Sequence, residues 1–164
     1  DAVNQLFSNS IMVSCALLAT GFILFFSDRL GGGRKTARNA TLKDVLLVGV
    51  AQGFATVPGL SRSGTTISAG MALGFDRKFA VRFSFLLSIP AVLGANILSL
   101  KDVLTGGVDW SQLPVYLAGV VVAAVSGYLC IRLLKMIADK GRFGALAYYC
   151  WAAGLATLIL NAVK

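Results

Sequence analysis

Apolar residues gather in four long runs, about Leu6 to Phe26, Phe83 to Leu100, Leu113 to Leu134 and Phe143 to Ala162. Each is close to the length of about 20 helical residues that crosses a hydrocarbon core of about 30 Å. Ten-residue segments of alternating polarity, which a membrane barrel needs, are not visible. The pattern predicts an all-α integral membrane protein with four transmembrane helices.

One stretch breaks this pattern. After a basic loop an apolar arm, Leu42 to Val57, runs into Pro58-Gly59, then the polar Leu60-Ser61-Arg62-Ser63-Gly64-Thr65-Thr66, then a second short arm from Thr66 to Phe75. As helix the arms would extend about 15 to 24 Å, too short to cross. Residues 42–76 therefore read as a helix-loop-helix hairpin, either one broken span or two arms that dip in and return on the side they came from.

Charge chooses between these topologies, because cytoplasmic loops carry an excess of Lys and Arg. If the arms return, one side receives Arg29, Arg34, Lys35, Arg38, Lys43, Arg77, Lys78, Arg82, Arg132, Lys135, Lys140 and Arg142, and the other keeps Lys101 and Lys164. That is 12 against 2, with Arg62 at the tip left out. If the arms cross, the tally becomes 7 against 7. The re-entrant arrangement is the expectation, with the base of the hairpin in the cytoplasm and Lys101 and Lys164 outside.

Within the spans, Gly119, Ala123 and Gly127 recur every four residues and form a face that lets a neighbouring backbone come close, within the monomer or across a homodimer. Pro90 leaves the carbonyl of Leu86 without its helical donor, so a kink is expected there, with Ser84, Ser88 or another helix compensating. Trp110, Tyr116, Tyr148, Tyr149 and Trp151 lie near the ends of the last two spans, although Tyr148 to Trp151 sit deep for interface anchors.

Composition narrows the chemistry. Hydrophobic residues make up 57% and charged ones 13%, about half the usual charged share of soluble domains. All seven acids are Asp, at loops or helix ends, and there is neither Glu nor His. Cys15, Cys130 and Cys150 lie inside spans as small apolar residues, which argues against a disulfide framework or a zinc site. The net charge of +8 borders lipid-compatible segments, so nucleic acid is not an expected partner. The opening Asp1-Ala2-Val3-Asn4-Gln5 reads like the interior of a longer protein.

Arg62 is the residue that asks for a function. At membrane depth an arginine costs several kcal/mol unless something pairs with it, and no carboxylate lies inside an apolar run. Ser61, Ser63, Thr65 and Thr66 supply hydroxyl donors, while Gly59 and Gly64 permit tight turns and expose N–H groups. The second arm begins a helix, whose positive end favours an anion, and the guanidinium fork matches phosphate oxygens in pairs. These features describe an intramembrane phosphate or diphosphate site. The bland alternative is that Arg62 caps backbone carbonyls in a packed hairpin and the serines hold the turn.

The run Gln52-Gly53-Phe54-Ala55-Thr56-Val57-Pro58-Gly59-Leu60-Ser61-Arg62-Ser63-Gly64-Thr65-Thr66, followed by Phe83-Ser84-Phe85-Leu86-Leu87-Ser88-Ile89-Pro90, resembles the bacterial undecaprenyl-diphosphatase family, of the BacA or UppP type linked to bacitracin resistance. The resemblance covers essentially the whole chain. It implies hydrolysis of undecaprenyl diphosphate to the monophosphate, which recycles the lipid carrier of peptidoglycan synthesis, at a site opening to the outer face of the bacterial inner membrane.

It also implies an inverted repeat, each half with a re-entrant hairpin and three spans. On that plan 1–27 is the last span of the first half, 28–41 a basic cytoplasmic loop, and 42–164 the complete second half. Arg62 would bind the diphosphate, with Ser61 and Thr66 donating hydrogen bonds, and Ser63, Thr65, Gly59 and the backbone near Gly64 would assist. The family's other motif, with paired glutamates, a serine and a histidine, is absent here, so the resemblance places the catalytic acids and bases in an N-terminal half. The divalent cation it implies, Mg or Ca, would rest on carboxylates elsewhere. A transporter or lipid flippase with an intramembrane anion site is the competing class, and a purely structural subunit leaves Arg62 unexplained.

Overall fold

The computed structural model describes residues 10–106, 112–140 and 143–162. Among these residues six helices follow one another: α1 (Ser10–Leu30), α2 (Leu42–Phe54), α3 (Arg62–Ala72), α4 (Arg77–Gly106), α5 (Leu113–Asp139) and α6 (Phe143–Ala162). Four of them, α1, α4, α5 and α6, are long and apolar enough to cross a membrane. The protein is an all-α, multi-pass membrane protein, as the hydropathy pattern predicts.

Helix ends differ from the apolar runs for a physical reason: hydropathy marks contact with lipid, whereas helices stop where their caps are. α4 starts at Arg77, six residues before the apolar run, because the Asp76 carboxylate accepts the N–H groups of Lys78 and Phe79 at 3.1 and 3.2 Å. α2 starts at a capping box in which Thr41 Oγ1 accepts from Asp44 N while the Asp44 carboxylate accepts from Thr41 N. α1 continues past Phe26 to Leu30, and Arg29 there lies 4.3 Å above the ring centroid of Phe25.

The interior is built around the shortest helix. α3 is packed by α1, α2 and α4, and its Ile67 and Met71 join Leu24, Val48, Phe75, Ala80, Val81 and Ala147 in the core. By contrast the long helices turn apolar side chains outward: Leu98 is 69% exposed, Val115 67% and Val122 66%. Such exposure is untenable in water and natural in lipid. Trp151 wedges against α1, between Phe22 and Phe25, and its Nε1 donates to Leu18 O at 3.3 Å. It is a packing residue. Tyr116, Tyr148 and Tyr149 are exposed, and Trp110 lies outside the described residues.

Hydrogen bonds and ion pairs close the base of the hairpin. Gly33 N donates to Phe75 O, Lys35 N to Gly74 O and Asp76 N to Lys35 O, at 2.7 to 2.9 Å. Gly33 is required, because a Cβ there would collide with the backbone of Gly74. Lys35 Nζ pairs with both oxygens of Asp44 at 2.9 and 3.0 Å, and Arg77 Nη1 with Asp28 Oδ1 at 2.7 Å. The Thr41 amide and the Lys35 ammonium hold the Asp44 carboxyl down at about 2, below its ordinary 3.8.

Two expectations about the spans change in detail. α4 runs through Pro90, but neither serine meets the freed Leu86 carbonyl: Ser88 Oγ donates to Phe85 O at 2.7 Å, and Ser84 is engaged by Thr66. No neighbouring backbone of the described residues approaches the small-residue face of α5. A Cβ at Gly119 or Gly127 would meet nothing within 4 Å.

Candidate active site

The tip of the hairpin is a tight turn pressed onto α1. Leu60 N donates to Val57 O at 3.1 Å across Pro58-Gly59, with Gly59 at φ 86, the arrangement that a turn with Pro second and Gly third adopts. No side chain fits at Gly59, since a Cβ would lie 2.6 Å from Val13 O. The buried hydroxyl of Thr20 donates to Gly59 O at 3.3 Å and accepts from Ser61 N at 3.1 Å, which pins the tip against the middle of α1.

Arg62 is not in the loop. Ser61 caps α3, its Oγ accepting from Gly64 N at 3.1 Å, so Arg62 is the first helical residue and the helix starts four residues before the second apolar arm. Thr65 N is taken by Ser61 O at 2.9 Å. Among the described residues nothing engages the N–H groups of Arg62 and Ser63, or the Arg62 guanidinium. Two amides at a helix N-terminus and a planar cation thus stand together with no anion among the described residues.

They border a cavity of about 240 Å³ lined by Gln52, Arg62, Ser63, Thr66, Ser84, Phe85 and Ser88. Gln52 Oε1 is buried there without a partner. Thr66 is 2% exposed, and its hydroxyl donates to Arg62 O at 3.0 Å, with Ser63 O at 3.2 Å. With that proton committed, Ser84 is the donor in the 2.6 Å contact between the two hydroxyls. This chain of bonds ties the first turn of α3 to α4.

The expected site residues are therefore only partly assembled. Arg62, Ser63 and Thr66 share the cavity. Ser61 and Gly64 face a separate one of about 150 Å³, bounded by Leu146, Tyr149 and Cys150 of α6, and Ser63 touches both. Gly59 shapes the turn, and Thr65 Oγ1 is buried without a partner. Gln52, Ser84 and Ser88 are given no site role by sequence reasoning, although Ser84 and Ser88, four apart, mark one face of α4.

Fold and site together define a class, a helical membrane protein with a polar pocket, lined by no carboxylate, at the start of a short inner helix. The family model of the bacitracin resistance protein BacA matches residues 1–156, and the chain belongs to that family. It is 42% identical to the undecaprenyl-diphosphatase of Halothermothrix orenii over 99% of this chain and 63% of that protein. It is 41% identical to that of Methanosphaera stadtmanae, over 99% of this chain and 58% of the relative. With that of Methanothermobacter thermautotrophicus the identity is 43%, over 96% and 88%. The chain spans about three fifths of the length of the first two.

Proposed function

We propose that this chain carries the diphosphate-binding part of a membrane phosphatase that hydrolyses undecaprenyl diphosphate to undecaprenyl phosphate and phosphate. The observation that carries the reading is the Arg62 guanidinium, unpaired among the described residues, beside two helix N-terminal amides that nothing described engages, at a polar cavity. The relatives are themselves named undecaprenyl-diphosphatases.

Cleaving the anhydride moves negative charge onto the leaving phosphate. A guanidinium and oriented amides stabilise that charge where water is excluded. Arg62 stays protonated, so it orients and stabilises but does not take a proton. Ser63, which touches both cavities, keeps its hydroxyl proton for a phosphate oxygen, whereas Ser61 caps the helix and Thr66 holds the turn that aims Arg62. The nucleophile or the group that activates water belongs to the N-terminal half, with the glutamates and histidine of the family's other motif.

A hard cation such as Mg or Ca takes mainly charged oxygens. Gln52, four hydroxyls and a guanidinium do not fit it, and among the described residues no three His, Cys, Asp or Glu side chains cluster. A divalent cation in the complete enzyme would be held by carboxylates outside this set.

The hairpin is re-entrant in this reading. In support, residues 33–35 and 74–76 hydrogen-bond to each other near Asp28, while the tip sits at Thr20, eight residues or about 12 Å along α1. The basic end faces the cytoplasm by charge, and the pocket opens toward the outer face of the inner membrane. Residues 42–164 form the second repeat.

The test uses the full-length protein and a polyprenyl diphosphate in detergent. Arg62→Ala should lower phosphate release by at least about 10² to 10³. Undiminished release would sink the assignment, and binding of the lipid without any phosphate release by the intact protein would favour a flippase.

A further inference from the structure

A second cavity, larger than the first, lies between α4 and α5. It measures about 580 Å³ and its walls are apolar, with Phe85 and Leu86 on α4 and Ile131 on α5. Its border is basic: Lys78 and Arg82, four apart on α4, and Lys135 near the end of α5. Arg82 and Lys135 are exposed, and no ion pair engages either among the described residues.

Among the described side chains, the nearby carboxylates are committed elsewhere. Asp28 pairs with Arg77 and accepts from Gly144 N, and Asp76 caps α4. From Lys78 to Leu86 the groove extends eight residues, about 12 Å, from the polar end of the helix into the segment that crosses the membrane.

We propose that this groove is a binding site for an anionic phospholipid, with the headgroup phosphate on Arg82 and Lys135 and an acyl chain along Phe85, Leu86 and Ile131. Charge complementarity selects the occupant. Basic clefts between membrane helices on the cytoplasmic side recognise anionic headgroups. A soluble anion would leave the apolar walls empty, and an isoprenoid tail would give the cations nothing to bind. A lipid suits the site mechanically too, because α5 packs chiefly on α4, and the space between them needs filling. The site is distinct from the Arg62 cavity, although Phe85 borders both.

The experiment is native mass spectrometry of the full-length protein, titrated with phosphatidylglycerol or with phosphatidylethanolamine of the same acyl chains. One phosphatidylglycerol should be retained in preference to phosphatidylethanolamine. Arg82→Gln with Lys135→Gln should weaken its retention about thirtyfold, as two lost surface cations imply, and Arg82→Lys should largely preserve it. Equal retention of the two lipids, or unchanged retention in the double variant, overturns the proposal.

If the double variant misfolds, a photoreactive phosphatidylglycerol on the unaltered protein decides. Labelling of the peptides containing Leu86 and Ile131 supports the site, and labelling elsewhere refutes it. Displacement of bound phosphatidylglycerol by one equivalent of a polyprenyl diphosphate would assign the groove to that lipid instead. Protection of these peptides by the N-terminal half of the protein would show protein in the groove, and would also refute the proposal.

Discussion

α3 and α5 are opposites. α3 has 11 residues, six of them buried, and reads Arg-Ser-Gly-Thr-Thr-Ile-Ser-Ala-Gly-Met-Ala, a sequence that would pass for a surface loop. α5 has 27 residues and is among the most apolar segments of the chain, yet none of its described side chains is buried. In a bilayer the usual relation between polarity and position reverses: apolar side chains meet lipid, and polar ones collect where protein satisfies them. α3 is held by polar bonds, Ser61 to Gly64 N, Thr66 to Arg62 O and Ser84 to Thr66. α5 presents Val, Leu and a row of small residues that nothing among the described residues covers.

If that contrast is right, substitutions should divide along it. The largest effect after Arg62→Ala is expected at Gly59→Val, which forces a branched side chain into φ 86 against Val13 O. It should cost about 3 kcal/mol or more in thermal unfolding, and should displace Arg62 enough to abolish activity. Next comes Ser84→Val, which removes the donor to a buried hydroxyl and should cost about 1 to 3 kcal/mol while lowering kcat more than it raises KM. A loss confined to KM would show that Ser84 binds substrate instead of aiming the α3 turn.

Ile67→Ala, in the core of α3, should cost about 2 kcal/mol through lost packing. Val122→Ala on α5 should stay within about 0.5 kcal/mol in the same melting assay. Equal losses at these two positions would break the comparison.

The smallest effect concerns the hairpin base. The carboxyl of Asp44 is depressed to about 2 from 3.8, so its contribution is fully present above about pH 4 and is lost as pH falls through about 2. Asp44→Asn should lose the Lys35 ion pair at neutral pH, detected as faster amide exchange at Asp44 and Val45. The wild type should approach that rate only in the acid range. A change near pH 6 would point to another group.

The reversal of polarity also explains what could be read from the residues alone. Runs facing lipid are uniform, so four spans stood out, and the hairpin stood out as the segment that broke the uniformity. Arg62 was conspicuous for the same reason, but its place on the first helical turn was not, because the polar run conceals the Ser61 cap. Periodicity is also silent on contacts between distant residues. The Thr66 to Ser84 bond joins positions 18 apart, and the Lys35 to Phe75 bridge joins positions 40 apart. Ser84 and Ser88 looked like compensation for Pro90, and only packing shows that they border the pocket.

The three backbone bonds that join residues 33–35 to 74–76 turn the intervening chain into a closed ring. A pull transmitted along α1 therefore passes across the Asp28 to Arg77 link into α4 without travelling around the ring. A tilt of either helix reaches the pocket by a separate route, through Thr20 at the tip on α1 and through Ser84 on α4. Thickening or thinning of the surrounding bilayer that tilts those helices would therefore be felt at the guanidinium, while the base stays closed.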